Sequence, residues 1–238
     1  MNFALIFAGG TGQRMNVKDM PKQFLPVHGK PIIIHTVDYF EQHEDINGIC
    51  IVCVESHMDY MKALLNRYNI KKVKWLIPGG HTGEVSRYNG LNAIYADYGD
   101  CKDAVVLIHD GVRPLISKQI ITDNIRAVHE HGNAITCAPI AETVVVRDEY
   151  SNLSYTVDRS KCRLARAPQS FFLTDIFDAY QSAINTKRDS IDSATLMYDK
   201  GMVLHLIEGP VENIKITTPL DYYLMRAIYD ARESAIFG

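Results

Sequence analysis

Short runs of apolar residues alternate with amphipathic segments along almost the whole chain. Six apolar runs predict β-strands at residues 3–7, 49–54, 72–77, 104–109, 134–138 and 202–207. Several of these runs are apolar on both faces, which is typical of strands buried within a parallel sheet. The segments between them predict helices near residues 31–43, 56–67, 83–98, 117–131, 173–186 and 190–200. Together they indicate an α/β domain whose mostly parallel sheet is covered by helices on both faces.

The last helix has the clearest start signal. Thr218 can cap it, Pro219 suits the first turn, and Asp221 completes a capping-box-like pattern. Just before the helix, the alternation over residues 213–217 predicts a strand with Lys215 facing outward. The apolar residues of the helix follow the spacing of one buried face, namely Leu220, Tyr223, Leu224, Ala227, Ile228 and Ala231.

One region breaks the alternation of strands and helices. Residues 142–172 contain two strand-like pieces around the polar turn 148–152, and no helix follows that would return the hairpin to the sheet. We interpret this region as a β-arm, at about residues 140–170, that leaves the body of the protein. An arm with an apolar side usually pairs with another subunit, so we expect a homodimer. Without repeats or a linker, residues 1–238 are expected to form a single domain.

Composition and charge exclude several classes of protein. The 238 residues carry a net charge of −3 with no basic stripe, so a dedicated nucleic-acid-binding module is not expected. No apolar run approaches the roughly 18 residues of a membrane span, and the first residues lack the cationic start of a signal peptide. An odd number of cysteines at irregular spacing is typical of reduced thiols. We therefore expect a cytoplasmic protein without a membrane partner.

A glycine-rich segment directly follows the first predicted strand. Gly9, Gly10 and Gly12 would let backbone N–H groups approach a phosphate closely, which indicates a nucleotide site. A dinucleotide fold is disfavoured because Met15 occupies the third glycine position and the second strand ends at Glu55, too far along the chain. The pattern of a phosphate-binding P-loop does not occur in the sequence.

Charged residues near two strand ends supply candidate chemistry. Arg14 and Lys22 can both fold back over a triphosphate, where fixed positive charge stabilises an anionic transition state. Asp110 follows an apolar strand and is well placed to hold Mg²⁺, while Arg113 can meet a second anion. His109 is expected to pack or hydrogen-bond locally rather than to act as an acid or base.

Six collinear motifs carry a resemblance that covers residues 3 to about 230. They are AGGTGQRM, PKQFL, GG…VSRYNGL, HDGVRP, APQSF and NIKITTPLD. In this order and spacing they resemble the cytidylyltransferases that act on polyol and methylerythritol phosphates. The resemblance implies a Rossmann-like nucleotidyltransferase fold with a mixed sheet, CTP as co-substrate and Mg²⁺ as cofactor.

The resemblance also implies roles for individual residues. The glycine loop would hold CTP through Phe7, Ala8, Gly9, Gly10, Thr11 and Gly12. Cytidine would be read by Gly79, Gly80 and Ser86, and Asp110 would lie beside metal and ribose. The catalytic cations would be Arg14, Lys22, Lys215 and Arg159. The acceptor would be bound by Arg113, Thr143, Arg159 and Lys215, with Thr143 and Arg159 reaching from the arm into the neighbouring subunit's site.

The chemistry fits these cations. The nucleophile would be an oxygen of a phosphate monoester, whose second pKa is about 6, so that no general base is required. One position departs from the family pattern, because Gly83 stands where GGxxRxxS has arginine; nearby Arg87 is a candidate replacement. Asp192 is expected to have a structural or supporting role.

The sequence leaves the acceptor open. The AGG loop and the PKQFL and PQSF motifs favour D-ribitol 5-phosphate, whereas NGL is commoner on the methylerythritol side. The alternatives for the acceptor are 2-C-methyl-D-erythritol 4-phosphate of isoprenoid synthesis and glycerol phosphate or another capsule polyol. Alternatives of another kind are a sugar-1-phosphate nucleotidylyltransferase and a non-catalytic nucleotide-binding subunit. Retention of Arg14, Lys22, Asp110 and Lys215 argues against the last of these.

Overall fold

The computed structural model describes residues 1–9, 20–186 and 192–234. Its strands are β1 (Asn2–Ala8), β2 (Pro26–Val27), β3 (Lys30–Pro31), β4 (Gly48–Cys53), β5 (Val73–Pro78), β6 (Val105–Asp110), β7 (Asn133–Pro139), β8 (Val144–Arg147), β9 (Leu153–Val157), β10 (Arg163–Phe172) and β11 (Leu206–Glu208). Its helices are α1 (Ile32–Glu41), α2 (Met58–Arg67), α3 (Gly83–Tyr98), α4 (Lys118–His131), α5 (Leu173–Thr186), α6 (Ser193–Asp199) and α7 (Pro219–Glu233).

A seven-stranded sheet in the order β11-β7-β10-β6-β1-β4-β5 forms the centre of the fold. The strands run in one direction except β10, which is antiparallel to both of its neighbours. Every residue of β4 is buried, as expected from its run of apolar residues. The predicted α/β fold with a mixed, mostly parallel sheet is confirmed.

Helices cover both faces of this sheet. On one face, α1, α2 and α4 contribute Ile34, Met61 and Val128 to a continuous core. On the other face, α3 and α5 contribute Leu91 and Tyr180 to a second core. A third, smaller cluster joins α7 to the β2–β3 hairpin. Among the described helices, none is long and apolar enough to cross a membrane.

The β-arm is shorter than the sequence pattern predicted. β8 and β9 form a separate antiparallel hairpin, and the Asp148 carboxylate accepts hydrogen bonds from the backbone N–H groups of Tyr150 and Asn152 in its turn. Residues 163–172, which were expected within the arm, instead form β10 between β6 and β7. A strand needs no helical crossover when it enters a sheet antiparallel to its neighbours, so the missing helix was not evidence for an arm over these residues.

The start of α7 is as predicted, but its buried face is not. Thr218 and Asp221 form the capping box, with the Asp221 carboxylate accepting from the Thr218 N–H at 2.7 Å. However, Leu220 and Tyr223 are 75% and 63% exposed, whereas Met225 is fully buried. The helix carries two neighbouring apolar stripes. The stripe with Tyr222, Met225 and Tyr229 packs in the small third core, and of the predicted face only Ile228 joins it there. The spacing alone does not distinguish the two stripes.

Two other predictions need correction. The strand predicted at 202–207 is confined to Leu206–Glu208, where it pairs with β7. Residues 213–217 belong to no strand; the N–H of Ile216 donates to the carbonyl oxygen of Val112. The helix predicted at 190–200 is described only over Ser193–Asp199, and residues 187–191 lie outside the described part of the chain.

Candidate active site

The candidate site lies where β1 and β6 end side by side. Phe7 of β1 is paired with Asp110 of β6 in the parallel ladder, so the segment after β1 and the HDGVRP motif leave the sheet at the same edge. Gly79 continues this edge, since its N–H donates to the carbonyl oxygen of Cys53 at 2.8 Å. Ligands of open α/β sheets bind at such carboxyl ends of strands.

Asp110 is the centre of a charged cluster. Its Oδ1 accepts from Lys215 Nζ at 2.7 Å, and its Oδ2 accepts from Arg113 Nε at 2.8 Å. Arg113 also donates from Nη1 to the backbone oxygen of Asn213 at 3.0 Å, which fixes the segment that carries Lys215. Burial raises the pKa of Asp110, but the positive charges of Lys215 and Arg113 lower it more strongly, and the net pKa lies well below its usual range. The carboxylate is therefore ionised at neutral pH.

His109 is fully buried and packs beside Phe40. Its Nε2 lies 3.2 Å from the backbone oxygen of Arg113. Burial lowers its pKa to about 4, so the ring is neutral at physiological pH. This environment agrees with the expectation that His109 packs and hydrogen-bonds locally.

The turn before α3 is held in place by the hydroxyl groups of Thr82 and Ser86. Thr82 caps α3 by accepting from the N–H of Val85 at 3.1 Å, and Ser86 Oγ donates to the Thr82 carbonyl oxygen. Ser86 Oγ also accepts from the N–H of Gly80 at 3.0 Å. A Cβ on Gly80 would lie 2.3 Å from a Val85 methyl carbon, so only glycine fits this turn. The predicted residues Gly79, Gly80 and Ser86 are brought together here.

Lys22 is held close to the end of β1 by its neighbour. Residues 22–24 form a short 3₁₀ turn, and Gln23 Nε2 donates to the carbonyl oxygen of Ala8 at 2.6 Å. Lys22 is largely buried and faces the same cavity as Ala8 and Gly9. The sequence reasoning did not single out Gln23, although it lies within the PKQFL motif.

Two adjoining cavities form one cleft. The larger, about 480 Å³, extends from Ala8 and Lys22 to Gly80 and Ser86; we call it the nucleotide lobe. The smaller, about 220 Å³, extends from Arg113 to Arg166; we call it the acceptor lobe. The residues that line both lobes are Phe7, Arg87, Asp110 and Lys215. We call these shared residues the junction.

Three residues of the acceptor lobe, Arg166, Gln169 and Asp192, were not predicted as site residues from the sequence. Arg166 Nη1 donates to the backbone oxygen of Val211 at 2.8 Å. Gln169 donates to the Asp192 carboxylate at 2.7 Å and accepts from the N–H of Ala194, and Asp192 itself caps α6. Gln169 stands within APQSF, so the motif contained the signal even though no role was assigned to it.

Two of the predicted residues, Thr143 and Arg159, do not line the cleft of their own chain. Thr143 is exposed on the arm, and Arg159 donates from Nη1 to the backbone oxygen of Ala141 at 2.6 Å. Gly10, Thr11, Gly12 and Arg14 lie outside the described residues.

Comparison with solved structures defines the class of protein first. The chain superposes on 4-diphosphocytidyl-2C-methyl-D-erythritol synthase from Anaerococcus prevotii with a TM-score of 0.83 and 26% identity, over 96% of each chain. The fold is therefore the nucleotidyltransferase fold that the motifs predicted.

Comparison of sequences then gives the family. Residues 3–231 match the 2-C-methyl-D-erythritol 4-phosphate cytidylyltransferase family, and the chain belongs to that family. It is thus a CTP-dependent cytidylyltransferase, and the resemblance drawn from the six motifs is confirmed.

Relatives within the family differ in the acceptor that their names give. The chain is 51% identical to the ribitol-5-phosphate cytidylyltransferase of Streptococcus agalactiae serotype III, with full coverage of both sequences. It is 48% identical to the enzyme of the same name from Vibrio parahaemolyticus, again over both full lengths. A 2-C-methyl-D-erythritol 4-phosphate cytidylyltransferase of Clostridium botulinum is 35% identical over 96% of this chain and 97% of its own.

Proposed function

We propose that the protein transfers CMP from CTP to D-ribitol 5-phosphate and releases pyrophosphate. The observation that carries the proposal is the two-lobed cleft, whose lobes meet at Asp110 and Lys215. One lobe offers the glycine-rich turn for a nucleotide, and the other offers arginines for a second anion. The choice of ribitol phosphate is supported by the higher identity to the ribitol-5-phosphate enzymes.

The chemistry is an in-line displacement at phosphorus. An oxygen of the acceptor's phosphate monoester forms a bond to the α-phosphorus of CTP, the bond from that phosphorus to the bridging oxygen breaks, and pyrophosphate leaves with the electron pair. The acceptor oxygen is already anionic near neutral pH, so the protein needs to position it and to neutralise charge. Lys22 and Arg14 act on the triphosphate, while Arg113 and Lys215 orient the acceptor.

Asp110 is the residue that would hold Mg²⁺. Among the described residues there is no cluster of three or more metal-ligating side chains. Magnesium sites in proteins commonly use only one or two carboxylates together with substrate phosphates, and Asp110 could supply one such carboxylate. Asp110 supplies an ionised carboxylate at the junction, and its present partner Lys215 has a flexible, 42% exposed side chain. When bound, the ion would neutralise the phosphate oxygens.

We further propose that the β-arm makes the protein a homodimer and carries Arg159 and Thr143 into the partner's acceptor lobe. The arm exposes Val145, Tyr155 and Leu153 to solvent, and such apolar residues are suited to an intersubunit contact. All five cysteines are free thiols, as expected in the reducing cytoplasm where we propose that the enzyme acts.

The proposal is tested by following pyrophosphate release and the nucleotide product with CTP, UTP and GTP. We expect release with CTP and a polyol phosphate, and none without the acceptor. Release with UTP and a sugar 1-phosphate would favour the sugar nucleotidylyltransferase alternative. CTP binding without turnover on any acceptor would favour a non-catalytic nucleotide-binding subunit.

The pH profile is expected to follow the acceptor phosphate and neither Asp110 nor His109. The pKa of Asp110 is lowered far below neutrality and that of His109 is about 4, so neither group changes protonation between pH 5 and pH 8. The acceptor phosphate loses its second proton near pH 6, and kcat/KM should rise up to about that pH and then level off. The measurement is kcat/KM between pH 5 and pH 8. An analogue with a higher second pKa must shift the midpoint upward by the same amount; an unmoved midpoint would contradict the account.

Subunit mixing tests the arm. If the arm crosses over, a heterodimer of Lys22→Ala and Arg159→Ala chains contains one intact site. That site takes Lys22 from the body of the Arg159→Ala chain and Arg159 from the arm of the Lys22→Ala chain. We expect about a quarter of the wild-type activity after random exchange of equal amounts, although each homodimer is nearly inactive. Activity that stays at the level of the separate variants would place Arg159 in its own subunit's site. Mixing Lys22→Ala with Lys22→Ala/Arg159→Ala is the control that should give no recovery.

A further inference from the structure

Position 83 is where this chain departs from its family pattern. The pattern GGxxRxxS has an arginine there, whereas this chain has glycine and carries an arginine four residues later, at 87. Gly83 is the first residue of α3, so residues 83 and 87 lie one turn apart on the same face of the helix. The helix therefore offers two positions from which an arginine could serve the same place in the cleft.

The guanidinium of Arg87 lies beside the position that a side chain at residue 83 would enter. A Cβ built on Gly83 would be 3.9 Å from both Nη1 and Nη2 of Arg87, which is ordinary van der Waals contact. Gly83 has no positive φ, so its backbone conformation does not require glycine. A side chain at residue 83 would therefore contact the Arg87 guanidinium.

Two aromatic residues flank Arg87. Its guanidinium carbon lies 5.8 Å from the centre of the Phe7 ring, within the range of a cation–π contact. Tyr180 also lies close to Arg87: burial raises the pKa of its hydroxyl, whereas the positive charge of Arg87 and a hydrogen bond with it lower that pKa. The Tyr180 hydroxyl lies 2.9 Å from Ser193 Oγ, which lines the acceptor lobe. Arg87 is thus held by its surroundings at the wall of the cleft.

The junction is the place where the two substrates must meet. A nucleotide in one lobe and an acceptor in the other can react only at the junction, and two of its four residues, Arg87 and Lys215, are cations. Lys215 is bound to Asp110, whereas Arg87 reaches the junction from α3 on a different element. A phosphoryl group at this point would lie between two cations that enter from separate elements.

We propose that Arg87 binds the phosphoryl group at the junction and replaces, from one helical turn further on, the arginine that the family pattern places at residue 83. The inference rests on the proposed function for the identity of the substrates. The ligand chemistry is a phosphate dianion or phosphodiester: the α-phosphate of CTP together with the attacking phosphate of the acceptor. Arginine suits such a site because its planar donors can hold two oxygens at once.

The test moves the arginine along the helix. We expect Arg87→Ala to lower kcat/KM on the order of 10²-fold, as the loss of one fixed charge donor at a reacting phosphate does. The double variant Gly83→Arg/Arg87→Ala should recover at least about tenfold of this loss, because residue 83 can direct a guanidinium to the same place. Added guanidinium ion should raise the activity of Arg87→Ala and leave wild type unchanged. Arg126→Ala, which removes an exposed arginine of α4, is the matched control.

A structural role would give a different pattern. If Arg87 only packed against Phe7 and Tyr180, Arg87→Ala would lower the melting temperature, and neither the relocated arginine nor guanidinium would restore turnover of the folded protein. That result, or kcat/KM of Arg87→Ala within about threefold of wild type, would overturn the inference.

Activity of the wild-type enzyme in the same assay distinguishes failure of this inference from failure of the proposed function. If wild type released no pyrophosphate, CTP binding by calorimetry would still decide: a roughly tenfold higher Kd for Arg87→Ala supports the inference, and an unchanged Kd overturns it.

Discussion

Replacing Lys22 with alanine is expected to lower kcat by a factor on the order of 10²–10³ while the fold persists. Lys22 lines the nucleotide lobe beside Ala8 and Gly9, and Gln23 anchors the 3₁₀ turn that carries it. From this position its charge can stabilise the negative charge that develops as pyrophosphate leaves. Single-turnover and steady-state rates of pyrophosphate release measure the effect.

The control for this variant is Lys62→Ala. Lys62 is an exposed lysine of α2 that pairs with Asp59, and it lines neither lobe of the cleft. We expect wild-type kcat for Lys62→Ala and a melting temperature within about 3 °C of wild type for both variants. A Lys22→Ala enzyme that is folded and turns over at nearly the normal rate would remove Lys22 from the mechanism.

Asp110→Asn is expected to lower kcat/KM on the order of 10²-fold. The carboxylate holds Lys215 with one oxygen and Arg113 with the other, and an amide can accept with only one of its two atoms. One cation then loses its position at the junction, and a misplacement of about 1 Å is enough for a loss of this size. The same change removes the ionised carboxylate proposed for Mg²⁺, so the concentration of Mg²⁺ for half-maximal activity should rise.

The matched control for Asp110→Asn is Asp123→Asn. Asp123 also accepts from two side chains, Gln119 and Arg126, but it lies on α4 and lines neither lobe of the cleft. It should have wild-type kcat/KM and an unchanged Mg²⁺ requirement. Equal effects of the two variants would mean that Asp110 only stabilises the fold.

Local patterns predicted much of the fold because each pattern had one physical solution. The run at 49–54 is apolar on both faces of a strand, so both faces must be covered, and β4 is buried throughout. The capping box at Thr218 is likewise a local interaction, and it formed as predicted. In contrast, the buried face of α7 depends on which of two apolar stripes meets the β2–β3 hairpin. That choice is made by tertiary packing.

In the site too, features set by local patterns were predictable, whereas features set by long-range packing were not. The motifs identified Asp110, Lys215 and Gly80 as site residues because each occupies a matching position in the family pattern. They did not predict the bond between Asp110 and Lys215, which joins residues 105 positions apart in the sequence. β10 was misread because its antiparallel insertion between β6 and β7 is a long-range pairing without a local signal. The position of the Arg87 guanidinium beside Gly83 depends on the direction in which the Arg87 side chain leaves α3. The spacing of four residues is compatible with that direction but does not determine it.

The most direct test of the account is the rate of pyrophosphate release from CTP and Mg²⁺ with D-ribitol 5-phosphate and 2-C-methyl-D-erythritol 4-phosphate measured side by side. We predict a kcat/KM for ribitol 5-phosphate that is at least about tenfold higher, with CDP-ribitol as the nucleotide product. A preference of the same size for the methylerythritol phosphate would contradict the proposed acceptor and place the protein in isoprenoid synthesis.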